Sequence, residues 1–201
     1  MSYPRNRITG VVLAGGRARR MGGQDKGLID LAHKSMIEHA VSIFRPQVGA
    51  LIISANRNAR RYERFGCPVI TDAMAGYLGP LAGMVSGMQY ATTPYIAVVP
   101  CDSPFIPRNL VERLYVAMEE TEADISVAHD GARMQPVFAL LRTSLRMSIV
   151  DFLEGGDRKI DLWYAGHKTV LADFSDRPEI FLNANTPEER MVLEEVFNRD
   201  A

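Results

Sequence analysis

The stretch Gly15-Gly16-Arg17-Ala18-Arg19-Arg20-Met21-Gly22-Gly23-Gln24-Asp25-Lys26 gathers four glycines and four basic residues into a dozen positions. Glycine lets the backbone approach a ligand closely and turn its amides toward it. Amides flanked by Arg and Lys make a cradle for phosphate. Of the first 26 residues, six are Arg or Lys and only Asp25 is acidic. The spacing excludes two familiar phosphate loops. A P-loop needs Gly-Lys-Ser/Thr, but Lys26 follows Asp25; the dinucleotide fingerprint needs G-x-G-x-x-G, but here the glycines come as two separated pairs. A plain turn with a solvated basic face is the alternative, and the position of the stretch directly after an apolar run weighs against it.

A second centre is Asp102, in Pro100-Cys101-Asp102-Ser103-Pro104-Phe105. By itself a carboxylate there reads as a turn or a cap. Beside a phosphate cradle it reads as a ligand for Mg²⁺, which takes one or two carboxylates and completes its shell with substrate phosphates. Asn56, in Ser54-Ala55-Asn56-Arg57, offers a donor and an acceptor to a base edge or a cap to the next helix. Arg158 and Lys159 form a cationic loop suited to an anionic second substrate. Asn183 and Asn185, two apart, share one side if their segment is extended. Gln135-Pro136 is a further candidate to line the cleft. His33, His39, His129 and His167 lack metal-ligand spacing and read as packing or surface residues.

The elements that must hold these residues alternate. Ile8–Ala14, Ala50–Ala55, Pro68–Thr71 and Tyr95–Pro100 are short β-branched runs bounded by turn residues. Between them, Ile37, Ala40, Val41 and Phe44 share a helical face, as do Leu81, Val85 and Met88, and Leu110, Leu114 and Met118. This predicts an α/β protein of three α/β/α layers on a mostly parallel, Rossmann-like sheet. After about residue 120 the rhythm changes. Asp124–Ala128 and Gln135–Leu141 read as an antiparallel addition, Leu145–Leu153 as helix, and Ile180–Ala184 as a last strand. Thr186-Pro187-Glu188-Glu189 then opens a terminal helix, with a Thr cap, Pro in the first turn and acidic residues at the positive end.

One domain over residues 1–201 is expected, with a functional division between its halves at about residue 120. A net charge of −1 and 47% hydrophobic residues fit an ordinary globular protein and give no global nucleic-acid footprint. Cys67 and Cys101 suggest neither a disulfide framework nor a cysteine metal site, and fit a reducing compartment. No run is long enough for a membrane span or a signal sequence. A soluble, cytoplasmic protein is the expectation.

The glycine stretch resembles the signature loop of the nucleotidylyltransferases that share the sugar-nucleotide transferase fold. Leu13-Ala14-Gly15-Gly16, Arg20-Met21-Gly22-Gly23 and Asp25-Lys26-Gly27-Leu28 are similar to the molybdenum cofactor guanylyltransferase branch. The resemblance extends to Pro100–Phe105, to Gly79-Pro80-Leu81-Ala82-Gly83 and to Asn183-Ala184-Asn185-Thr186-Pro187. It implies that Leu13, Ala14, Gly15 and Gly16 contact base and phosphates. Lys26 would hold phosphate, with Arg20 as a second charge, and Asp102 would bind Mg²⁺. Asp72 would meet the nucleotide near the ribose, and the backbone at Gly79 would pass the base. Asn183 or Asn185 would support the metal region or a pterin phosphate. Two departures stand out: Ser54 where the family often has Asn, and Ala32-His33-Lys34-Ser35 where it commonly has Gly-Lys-Pro.

The resemblance implies transfer of GMP from GTP to the terminal phosphate of molybdenum-molybdopterin, with pyrophosphate released. The acceptor could be handed over by cofactor-insertion and molybdoenzyme maturation proteins. Rivals are a cytidylyl or other nucleotidylyl transfer on the same fold, a nucleotide-binding protein without turnover, and a nucleic-acid module. The last is disfavoured because the basic cluster is confined to one loop.

Overall fold

Ile8–Leu13 forms β1, whose side chains point alternately to two cores. Ile8 and Val12 enter one apolar cluster, and Val11 enters the other. In this computed structural model the structure describes residues 3–16, 25–74, 76, 78–182, 189 and 193. Two very short strands follow β1: β2 (Asp30–Leu31) and β3 (Lys34–Ser35). The chain then runs through α1 (Met36–Phe44), β4 (Ala50–Ser54), α2 (Ala59–Glu63), β5 (Val69–Ile70), α3 (Pro80–Tyr90) and β6 (Tyr95–Pro100). The second half contributes α4 (Leu110–Thr121), β7 (Ile125–His129), β8 (Met134–Arg142), α5 (Arg146–Glu154), α6 (Ile160–Ala165) and β9 (Thr169–Asp173).

Among the described residues, seven strands make one sheet in the order β5-β4-β1-β6-β8-β7-β9. β5, β4, β1 and β6 pair in parallel, and β7 pairs in parallel with β9. The antiparallel addition is a single strand, β8, set between β6 and β7. Helices cover both faces, as the alternation predicted. Ile37, Ala40 and Phe44 of α1 pack with Leu110, Leu114 and Met118 of α4 on one side. On the other, Leu81, Val85 and Met88 of α3 pack with Ile149 and Leu153 of α5 and with Trp163 and Tyr164 of α6.

α3 lies very close to β1. A Cβ at Gly87 would stand 2.8 Å from Val11 Cγ2, and one at Gly83 would stand 2.6 Å from Leu13 Cδ2. These two glycines, one turn apart, remove the side chains that would hold the helix off the sheet. The α5–α6 corner is closed by polar bonds. Trp163 Nε1 donates to Ser148 Oγ at 3.1 Å, and Ser148 Oγ lies 2.8 Å from His167 Nε2. His167 is thus a packing residue, and His39 is another, its Nε2 lying 2.8 Å from Leu31 O.

One expectation is overturned. The run from Ile180 reads as a strand, but Pro178–Phe181 forms a 3-10 turn. Ile180 and Phe181 are adjacent and both buried, and Phe181 lies edge-on to Phe138 and Phe174. A one-sided edge strand would have put one of the two in water. Glu189 and Leu193 are helical, and Leu193 packs against Ile29, Leu31 and Met36.

Candidate active site

The strand ends that converge at one end of the sheet carry the candidate residues. Leu13 and Pro100 close β1 and β6, pair in register, and have Ser54 of β4 on the other side of Leu13. The pairing continues past the strands: Ala14 N donates to Ser54 O and Cys101 N to Leu13 O, at 2.7 and 3.0 Å. The next residues of each chain are therefore fixed, as is usual for ligand sites at the carboxyl ends of parallel strands.

A pocket of about 290 Å³ opens there. Leu13, Gly15, Gly16, Ser54, Asp72, Gly79, Pro80, Gly83, Pro100 and Val137 line it. The walls are mostly apolar, as suits a flat base. Gly79 (φ +79°) turns the chain into Pro80, the first residue of α3, and puts that helix's N-terminus at the pocket. Asp72 is the carboxylate of this pocket. Its Oδ2 accepts from Asn56 Nδ2 at 2.7 Å and its Oδ1 from Ser54 Oγ at 3.3 Å, while its backbone N–H donates to Asn56 Oδ1 at 2.9 Å. Gly15 passes close to the same group: a Cβ there would be 3.0 Å from Asn56 Nδ2.

Beside it stands an ion pair. Lys26 Nζ is 3.2 Å from Asp102 Oδ2, and the Asp102 side chain is only 12% exposed. The two residues are 76 apart in sequence. Lys26 opens a short 3-10 turn, Lys26–Leu28, and Asp102 lies two residues beyond β6. Between Asp102 and the strand, Cys101 is buried and free. Burial pushes its thiol well above the usual range, helped by the carboxylates of Asp102 and Asp25. It is an inert packing group, not a nucleophile.

Among the described residues no group of three His, Cys, Asp or Glu side chains is arranged to hold a metal. One largely buried carboxylate beside a lysine is the donor set of an ion brought in mainly by substrate phosphates. Asp102 fits Mg²⁺ in that sense.

Of the residues singled out from sequence, Leu13, Gly15, Gly16, Ser54, Asp72 and Gly79 line the pocket. Asn56 stands behind Asp72, and Ala14 turns its methyl into the core. Arg158 and Lys159 are exposed on the α5–α6 loop, where Asp157 Oδ1 accepts from their backbone N–H groups. They do not line the pocket, although Tyr164 of the next helix donates to Pro136 O, next to pocket residue Val137. Gln135 is spent on Asp130, to which its Nε2 donates at 2.6 Å. Arg20, Asn183 and Asn185 lie outside the described residues.

Sequence reasoning passed over Pro80, Pro100 and Val137 as walls, and Arg57, Asn58 and Tyr62 behind the glycine stretch. Arg57 Nη2 donates to Gly16 O at 3.1 Å, and Asn58 Nδ2 to Asp25 Oδ2 at 3.0 Å. Tyr62 OH donates to Asp25 Oδ1.

Comparison with known proteins places this geometry. The MobA-like NTP transferase domain model matches residues 10–170. The molybdenum cofactor guanylyltransferase of Shewanella sediminis is 52% identical over 94% of this chain and 97% of its own. That of Shewanella sp. strain MR-4 is 51% identical over 96% and 98%. The crystal structure of molybdopterin-guanine dinucleotide biosynthesis protein A from Archaeoglobus fulgidus superposes with a TM-score of 0.80. It is 22% identical, and the match covers 95% of this chain and 99% of that one, so the two share a fold. With a family model spanning most of its length and relatives more than half identical to it, the chain belongs to the MobA-like NTP transferase domain family.

Proposed function

We propose that the protein transfers GMP from GTP to the terminal phosphate of molybdenum-molybdopterin, giving the guanine dinucleotide form of the cofactor and pyrophosphate. The observation that carries this is the Lys26–Asp102 pair at 3.2 Å, two residues beyond the strand whose end lines a mostly apolar pocket, in a chain whose close relatives bear that activity in their names. The base occupies the apolar slot between Leu13, Pro80 and Val137, and Asp72 faces the nucleoside. The triphosphate then runs over Gly15 and Gly16 toward Lys26, with Arg20 as a further cation.

A phosphate oxygen of the acceptor attacks the α-phosphorus. A new phosphorus–oxygen bond forms, the bond to the β-phosphate oxygen breaks, and pyrophosphate carries away the negative charge. An acceptor phosphate is already ionised near neutral pH, so no general base is needed. The residues instead align two anions and neutralise charge that grows on the leaving group. Lys26 supplies a fixed cation at that place. Asp102 holds Mg²⁺, which when bound supplies Lewis-acid neutralisation of the phosphates. Arg158 and Lys159, with Asn183 and Asn185, receive the acceptor's anionic end. We assign the reaction to the cytoplasm, where the free thiols of Cys67 and Cys101 persist. Maturation proteins deliver the labile acceptor.

The test is Mg²⁺-dependent pyrophosphate release with molybdenum-molybdopterin and GTP, CTP or ATP. Release with GTP alone is expected, reduced roughly 10²–10³-fold in Asp102→Ala. Release with CTP alone would move the protein to cytidylyl transfer. No release with any triphosphate would sink the reading.

A further inference from the structure

The turn that carries Lys26 is fastened to α2. Asp25, immediately before Lys26, spends both carboxylate oxygens on that segment, accepting from Tyr62 OH and from Asn58 Nδ2. Gly27, immediately after Lys26, is pressed onto the same hydroxyl. A Cβ at Gly27 would stand 2.8 Å from Tyr62 Oη and 3.1 Å from Cys101 Sγ. Lys26 is thus held on both flanks by one phenol oxygen.

The two donors differ in setting, one buried and one exposed. Tyr62 is fully buried, so its hydroxyl has little freedom. Asn58 sits at φ +54° at the start of α2, and its side chain makes no capping bond to its own helix. It reaches Asp25 instead, 33 residues away in sequence. A buried phenol, an asparagine in a left-handed conformation and a glycine with no room for a methyl all converge on one short turn. Helix packing alone asks for none of these polar choices.

We infer that Tyr62, with Asn58 as second donor, is a positioning residue for Lys26, acting through Asp25 and Gly27. The inference rests on the proposed role of Lys26 at the triphosphate. A cation meant for charge that develops during transfer must stand in place beforehand, and an error of about 1 Å can cost two orders of magnitude in rate.

Tyr62→Phe keeps the ring and removes the oxygen. Its kcat is expected to fall at least tenfold with KM for the acceptor unchanged. In a Lys26→Ala background the same change should cost nothing further, because the two act as one unit. A merely structural tyrosine would lower Tm and cost the same in both backgrounds, and that result would overturn the inference. Acetic anhydride labelling of Lys26, read by mass spectrometry on the nucleotide-free protein, tests position without turnover. Labelling should rise at least threefold in Tyr62→Phe; an unchanged rate refutes the positioning role even if the protein proves inactive. If Tyr62→Phe does not fold, Asn58→Gly, which tolerates the positive φ, should raise labelling in the same direction, and an unchanged rate there would likewise refute the role.

Discussion

Asp72 is held by two donors and its own backbone before any nucleotide arrives. A carboxylate so fixed need not be reoriented on binding, which saves the ordering cost that a free side chain would carry. Asn56→Ala removes two of those three bonds. The expected result is a roughly tenfold weaker Kd for the nucleotide, about 1.4 kcal/mol, with kcat changed much less, measured by titration calorimetry and steady-state rates. Lys26 was legible because it closes a glycine-rich basic stretch, Asp102 because it follows an apolar run, and the family resemblance marked both. Tyr62 was not. It sits in a five-residue helix, and its partner is 37 residues away, so neither periodicity nor local composition points to it. Arg158 and Lys159 were legible by their charge, and the structure leaves both exposed on a loop outside the nucleotide pocket, open to an anionic acceptor.

At the scale of elements, the buried strands and long helices were readable because each fills several turns or pleats with apolar residues. What was missed is short or one-sided. α2 has five residues and α6 has six, too few for a helical period to repeat. β9, at the sheet edge, buries only Ala172, so it has no alternation to detect. The β2–β3 hairpin has two residues per strand. Its two-residue loop, Ala32-His33, has φ +46° and +66°. Both values belong to the mirror-image turn that favours Asn-Gly, and neither Ala nor His suits it. A left-handed L-residue costs about 1–2 kcal/mol. Replacing Ala32-His33 by Asn-Gly should therefore stabilise the protein by about 1–2 kcal/mol, seen as a higher urea midpoint at unchanged slope.

For the molecule as a whole, several groups bind their protons more tightly in the fold than in the open chain, and three buried ones do so most strongly. Burial raises the phenol of Tyr62, with Cys101 and Asp25 adding to the effect, and it raises that of Tyr164, with Asp161 adding. The Cys101 thiol is raised likewise. The unfolded chain loses these protons near pH 8.5 for Cys and near 10 for Tyr, while the native protein keeps them. Stability is therefore fully present below about pH 8.5 and falls as pH climbs, by about 1.4 kcal/mol per unit for each group. Above pH 10 these three groups should contribute about 4 kcal/mol per unit to the slope, and Tyr62→Phe should remove about a third of that contribution, as read by denaturation across pH 8–11.

The single reversed strand also bears on how the chain comes into being. β6 is made by residue 100, but its outer neighbour β8 ends only at residue 142, and β7 must be laid down beyond it first. While the ribosome is still extending the second half, the apolar flank of β6 offers unpaired amides and carbonyls to any passing chain. Until β8 is laid down that flank of β6 stays open, and β8 is the stitch that ends the exposure.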